Sequence, residues 1–344
     1  MSAHTLIAPE GNSERRRHAH TQCVLAAREA GTLRTYDDWR ATQPRRPGLL
    51  ARLLSFFVVA LLAGCGSSSP NATQAPAPQR LTFAYDRSQP LDYVDRGRIS
   101  AQEDPIKVED VSFRSGPLVI EGYLVLPARP GRHPGVVLVH GSGGDRNELL
   151  EQARRVAERN MVALTITEPS TSNPPARGGS VTESLRRLQS GQVRDVVAVR
   201  RAVDLLQSLP GVDPKRIGYL GWSAGARGGT FVAASEPRVK ALALLSAGAA
   251  PISAYVEKAP PALRRQVRTV LTRIDPIRYV RLARPGSLLL EDGRRDEIVP
   301  RSALLNIARA APEGTTLRWY DAPHALNAAA YRYAFAWLGQ KLRA

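Results

Sequence analysis

Residues 216–229 run Arg-Ile-Gly-Tyr-Leu-Gly-Trp-Ser-Ala-Gly-Ala-Arg-Gly-Gly, an apolar stretch broken by Gly221-Trp222-Ser223-Ala224-Gly225 and resumed as small, helix-compatible residues. The pattern reads as a strand that turns sharply into a helix. Gly221 and Gly225 lack the Cβ atoms that would collide in so tight a turn, and Ser223 stands at its apex. A hydroxyl presented there, beside the unpaired N–H groups that open a helix, is placed for nucleophilic attack on a carbonyl.

The surrounding periodicity supplies the strand and the helix. A hairpin is expected over Val111–Arg114 and Leu118–Pro127, after which strands and helices alternate. Strands are expected at Gly135–His140, Met161–Ile166, Arg216–Gly221, Val239–Ser246, Ser287–Glu291 and Thr316–Tyr320. Helices are expected at Glu148–Arg159, Gln192–Ser208, Ala224–Ser235, Ser302–Ala310 and Leu326–Leu342. Apolar runs such as Val136-Val137-Leu138-Val139 and Leu288-Leu289-Leu290 are what a parallel sheet covered on both faces requires. The fold class is therefore α/β. Two connections, Glu168–Gly191 and Ala247–Arg284, are too long for turns and read as loops that shape a pocket, the second as a small cap.

Four landmarks stand in a familiar order: His140-Gly141-Ser142-Gly143-Gly144 after a strand, the Ser223 turn, Asp296 in Gly293-Arg294-Arg295-Asp296-Glu297-Ile298-Val299-Pro300, and His324 after Asp321-Ala322-Pro323. From about Val111 to the C-terminus the chain resembles the α/β-hydrolase superfamily, close to dienelactone-hydrolase-like esterases and prolyl-oligopeptidase-type domains. The resemblance implies the α/β-hydrolase fold, a mostly parallel central sheet with helices on both faces and a small cap or insertion. It also implies a nucleophile, acid and histidine in that chain order. Serine replaces the cysteine that dienelactone hydrolases carry at this place, which favours an acyl-serine esterase over a specialised lactonase.

Six histidines compete for the role of base. His4, His18 and His20 lie far upstream, and His133 sits in a Pro-Gly turn where a solvated surface position is expected. His140 falls where the family's His-Gly motif organises the oxyanion loop, leaving His324 as the base. Asp292, Asp296 and Asp321 could each orient an imidazole; the family's Gly-x-x-Asp pattern with a following Val-Pro selects Asp296, with Asp292 the main rival. The oxyanion donors implied are the backbone amides of Ala224 and of Ser142, with Gly143 as the alternative. No His/Cys/Asp/Glu cluster has metal-ligand spacing, and no cofactor is expected.

Upstream, Arg45, Arg46 and Arg52 precede the apolar run Leu53–Leu62, which ends in Leu62-Ala63-Gly64-Cys65. This looks like a bacterial lipoprotein signal peptide whose Cys65 thiol accepts a lipid. The uncharged stretch falls well short of the roughly 20 residues of a membrane-spanning helix. Residues 1–44 then read as a non-native or processed extension, 45–64 as the signal, 65–105 as the lipidated cysteine with a flexible linker or arm, and 106–344 as the hydrolase domain, with a cap insertion at 247–284. The stretch from Leu81 to Asp104 fits either a surface arm or part of the domain. Such a protein is exported and held on the cell envelope, at the outer membrane or periplasmic face in a Gram-negative host.

The formal charge is +17, of which +13 remains from Cys65 onward. Only five of the 48 basic residues are lysine, so the excess reads as arginine-rich coding rather than as a nucleic-acid footprint. The function implied is cleavage of small-molecule carboxylic esters through an acyl-enzyme. Its alternatives are a prolyl-oligopeptidase-type peptidase, with no room in 344 residues for that family's propeller, a thioesterase, and a tethered ligand-binding protein without turnover.

Overall fold

A computed structural model describes residues 79–172 and 179–343; Cys65 and the expected signal peptide lie outside the described residues. Among the described residues nine strands form one sheet: β1 (Val94–Arg98), β2 (Lys107–Ser115), β3 (Leu118–Leu126), β4 (His133–Val139), β5 (Val162–Ile166), β6 (Val212–Trp222), β7 (Val239–Leu245), β8 (Leu288–Gly293) and β9 (Thr316–Tyr320). Their spatial order is β1-β2-β3-β5-β4-β6-β7-β8-β9. The pairings from β1 to β3, and of β3 with β5, are antiparallel; from β5 to β9 every pair is parallel.

Alternation along the parallel strands sends side chains to two separate cores. Val137, Val139, Leu242 and Leu244 meet α3 (Val181–Ser208) and α4 (Ala224–Ser235) on one face. On the other, Val136, Leu138, Ala243 and Leu289 meet α1 (Leu150–Ala157) and α9 (Ala328–Lys341). Both faces are dry because the crossover helices of a parallel sheet must cover both. The connection from β4 to β6 through β5 reverses direction beside the Ser223 turn, where parallel sheets open a crevice.

The connection expected as a loop over Glu168–Gly191 is mostly helix. After α2 (Pro169–Ser172), α3 begins at Val181, eleven residues before the expected start at Gln192, because the Ser180 hydroxyl accepts the Glu183 amide at 3.2 Å. Ser180-Val181-Thr182-Glu183 is a helix-starting sequence that outweighs Gly191 in the helix interior. At 28 residues α3 spans about 42 Å. Its C-terminal half packs on the sheet, while Leu185 and Leu188 near its start belong to a third apolar cluster.

That third cluster lies in the 247–284 segment. It contains α5 (Ile252–Lys258), a 3₁₀ turn (Pro261–Leu263), α6 (Arg264–Arg273) and α7 (Ile277–Val280). Val256, Ala259, Val267 and Leu271 pack with Leu185. Val267, Val270, Leu271 and Ile274 recur at helical spacing, so α6 turns one apolar stripe inward and leaves Arg264, Arg265 and Arg268 exposed.

His133 corrects the expectation of a solvated turn. It opens β4, is buried, and its Nε2 lies 2.8 Å from the Arg129 carbonyl. Residues before β1 also belong to the domain. Phe83 is 5% exposed and packs edge-on against Phe231 and Tyr279. The Leu81 amide donates to the Tyr279 hydroxyl at 2.8 Å, and Arg200 donates to the Phe83 carbonyl at 2.6 Å. Phe83→Ala leaves a cavity between α4 and α7 and is expected to destabilise the fold by about 3 kcal/mol, lowering the urea midpoint with an unchanged slope.

Candidate active site

Ser223 links β6 to α4 with φ 56° and ψ −112°, a left-handed conformation that costs a residue with a Cβ about 1–3 kcal/mol. Close packing holds it there. A Cβ on Gly221 would strike the Gly225 backbone, and one on Gly225 would strike the carbonyls of Val139 and His140. The Gly225 amide donates to the His140 carbonyl at 3.0 Å, the Ser223 amide to Leu245 at 2.8 Å, and the Tyr219 hydroxyl to Gly225 at 2.6 Å. The turn is thus pinned to β4 and β7 as well as to its own strand.

The structure brings Ser223, His324 and Asp296 together. His324 Nε2 lies 2.8 Å from Ser223 Oγ, and its Nδ1 lies 2.8 Å from Asp296 Oδ2. Asp296 Oδ1 accepts the amides of Ile298 and Val299 at 2.9 and 2.8 Å. Burial alone would raise this carboxyl. The bonds from His324 and from the two amides outweigh it and hold Asp296 below the usual carboxylate range. An ionised carboxylate only accepts, so Nδ1 carries the imidazole proton and Nε2 is left to accept from the serine hydroxyl.

Asp292 and Asp321 stand elsewhere. Asp321 is exposed and pairs with Arg295 at 2.7 Å. Asp292 is 2% exposed and makes no hydrogen bond to His324. Burial, then the charges of Asp296 and Glu291, push it up to about 8. Its neighbour Glu291 is raised by burial to about 7, and the Tyr320 hydroxyl donates to it at 2.5 Å.

The His140–Gly144 loop crosses the start of α4. Burial holds the His140 imidazole below its ordinary range, and its Nε2 accepts the Glu168 amide at 3.0 Å, so Nδ1 donates to the Gly141 carbonyl at 2.7 Å. The Gly141 amide donates to Glu148 at 2.8 Å and the Gly144 amide to the Gly141 carbonyl at 3.1 Å. Among the described residues, Ser142 and Gly143 are therefore the loop amides without a protein acceptor, as is Ala224 at the first position of α4.

Two supporting residues escaped the sequence reading. The Trp222 ring lies against Gly141, where a Cβ would touch it at 2.7 Å, and its Nε1 donates to the His324 carbonyl at 3.1 Å. Ser246 Oγ donates to that same carbonyl at 2.9 Å. The tryptophan was visible in the Gly-x-Ser-x-Gly motif, but its partners come from loops 81 and 102 residues away in the chain.

Comparisons with known proteins agree with this architecture. Residues 120–258 match the model of the dienelactone hydrolase family. Acetyl xylan esterase 1 from Thermoanaerobacterium sp. JW/SL YS485 superposes with a TM-score of 0.63 at 18% identity, covering 74% of this chain and 89% of that one. An acetyl xylan esterase from Paenibacillus sp. R4 gives 0.61 at 20% identity, covering 74% and 90%. The chain has the α/β-hydrolase fold. A Mycobacterium tuberculosis protein named as a phosphoribosyl transferase is 31% identical over 196 residues, 56% of this chain and 41% of that protein. The 2,6-dihydropseudooxynicotine hydrolase of Paenarthrobacter nicotinovorans is 30% identical over 129 residues, 36% of this chain and 32% of that enzyme. The chain spans less than half the length of the curated relatives it matches.

Asp292 gives the site a pH signature. Its folded value near 8 stands above an unfolded value of about 3.9, so the folded state holds the proton more tightly and native stability falls as pH rises through that window. Asp292→Asn cannot titrate. The variant should melt above the wild type by a margin that grows from about pH 4 to about pH 8 and then levels off, as followed by calorimetry.

Proposed function

We propose that this protein is a serine hydrolase that cleaves carboxylic esters through an acyl-enzyme. What supports the reading is the pair of 2.8 Å contacts joining Ser223, His324 and Asp296 on a strained turn. His324 Nε2 takes the hydroxyl proton as Ser223 Oγ attacks the acyl carbonyl, and returns it to the leaving alcohol. Asp296 holds the imidazole in the required tautomer and stabilises the imidazolium. The amides of Ala224 and of Ser142, or of Gly143 beside it, receive the developing oxyanion. Water activated by His324 then releases the acid and restores Ser223.

The same groups could serve thioester or peptide cleavage. The esterase reading is favoured by the named esterases among the structural neighbours and by the family model over residues 120–258. Its test is direct. A fluorophosphonate probe should label the wild type and not Ser223→Ala, and Ser223→Ala should lose at least ~10³-fold in kcat on 4-nitrophenyl esters. Asp296→Asn should lose roughly 10²–10⁴-fold. Persistent labelling of Ser223→Ala would remove the mechanism; a larger loss in Asp292→Asn would reassign the acid.

We further propose that the enzyme is exported and anchored through Cys65, on the strength of the basic flank, short apolar run and Leu62-Ala63-Gly64-Cys65. Mass spectrometry of membrane-extracted protein should find a diacylglycerol-modified N-terminus at Cys65, absent from Cys65→Ser. A mature chain that retains Met1 would dismiss the anchor.

A further inference from the structure

Arg227 stands one helical turn beyond Ser223 on α4, and its amide donates to the Ser223 carbonyl at 2.9 Å. Ser223 is the N-cap residue and Arg227 the fourth residue of the helix, so the guanidinium stems from the first turn after the serine. In this first turn Gly225 and Ala226 are buried, whereas Ser223, Ala224 and Arg227 stay partly open to solvent. Glu168 beyond β5, Tyr255 on the cap helix α5 and Asp195 on α3 surround Arg227.

Other arginines that reach inward here are well used. Arg201 donates to the carbonyls of Arg114, Gln89 and Pro90 and to Asp204. Arg146 holds both oxygens of Asp110 and the Gly122 carbonyl. Arg227 has five donors in a planar fork, yet among the described residues its side chain makes no hydrogen bond and no ion pair. Burial, then the charge of Asp195, raises Glu168 well above the carboxylate range, and burial pushes Asp195 up to about 6, so the pair holds fewer than two full charges at neutral pH; burial also lowers Arg227 itself.

Between Ile252 and Arg284 eight Lys/Arg residues stand against two acids, Glu257 and Asp275, so the segment is net positive and favours anions in its neighbourhood.

We propose that Arg227 is a specificity-determining residue that receives a carboxylate borne by the substrate, which makes esters with an anionic acyl group a few bonds from the scissile carbonyl the preferred class. The proposal rests on the reading of Ser223 as nucleophile. A guanidinium fork matches a carboxylate with two parallel hydrogen bonds, and an origin in the turn that follows Ser223 suits a short dicarboxylic half-ester.

The test compares 4-nitrophenyl monoglutarate with 4-nitrophenyl valerate, which share acyl length and leaving group, on the detergent-solubilised full chain at low ionic strength. The wild type should favour the glutarate ester in kcat/KM by at least about tenfold, mainly through KM, and added salt should shrink the preference. Arg227→Met should lower the ratio of the two values at least about tenfold, with Arg227→Lys intermediate; using the ratio cancels any loss common to both esters. A wild-type ratio of one or below, or an unchanged ratio in Arg227→Met, overturns the proposal. If Arg227→Met does not fold, the wild-type ratio and Arg227→Lys decide it. Turnover of the valerate ester without preference sinks this inference alone, whereas no turnover of either ester with no fluorophosphonate labelling sinks the hydrolase reading with it.

Discussion

The contact of Gly225 with the carbonyl ends of Val139 and His140 sets the geometry on which the site depends. Because no side chain intervenes, α4 starts directly against the end of β4, and one hydrogen bond from Gly225 to His140 ties the two together. That closeness brings the His140–Gly144 loop against the α4 N-terminus that follows Ser223. The left-handed backbone of Ser223 follows from the same packing: with both flanking glycines jammed, the intervening residues have one path available. Gly293 plays a parallel part on the other side, where a Cβ would strike the carbonyls of Ala322 and Pro323, so the end of β8 lies directly beside the loop that carries His324.

The charges under this frame are arranged in two tiers. Asp296 is kept ionised by three hydrogen bonds, while Asp292, four residues earlier and more deeply enclosed, is driven toward its neutral form. Two carboxyls so close cannot both ionise cheaply in a poorly solvated place, and the hydrogen bonds decide which one does. His140 is handled in the opposite way: burial with one accepted and one donated hydrogen bond keeps it neutral, so it serves as a strut rather than a base.

How much of this was legible in the sequence follows the range of the interactions involved. The Ser223 turn, the near-continuous apolar strands and the chain order leading to His324 are local patterns, and the order of strands and helices could be read from them. The early start of α3 was also local, in Ser180-Val181-Thr182-Glu183, but Gly191 and the polar residues around it masked the helix. The apolar stripe of α6 was hidden by its arginines. The burial of His133 and the two-sided grip of Trp222 depend on segments far away in the chain, and no spacing within the sequence records them. Cys65 and its signal are legible as a motif and lie outside the described residues.

The long helix α3 has a mechanical implication. Because one unbroken rod supplies Leu185 and Leu188 to the cap cluster and Val196–Leu206 to the core over the sheet, the two clusters share a rotational phase. Each residue of an α-helix advances the side chains by about 100°, so adding or removing a single residue between Leu188 and Val196 would swing the cap's apolar contacts about a quarter-turn off their partners. Length changes of about seven residues, close to two full turns, keep the phase but carry the cap roughly 10 Å along the axis. The position of the 247–284 segment along α3 is thereby quantised by helix geometry, and length changes that keep its packing come in steps of whole turns.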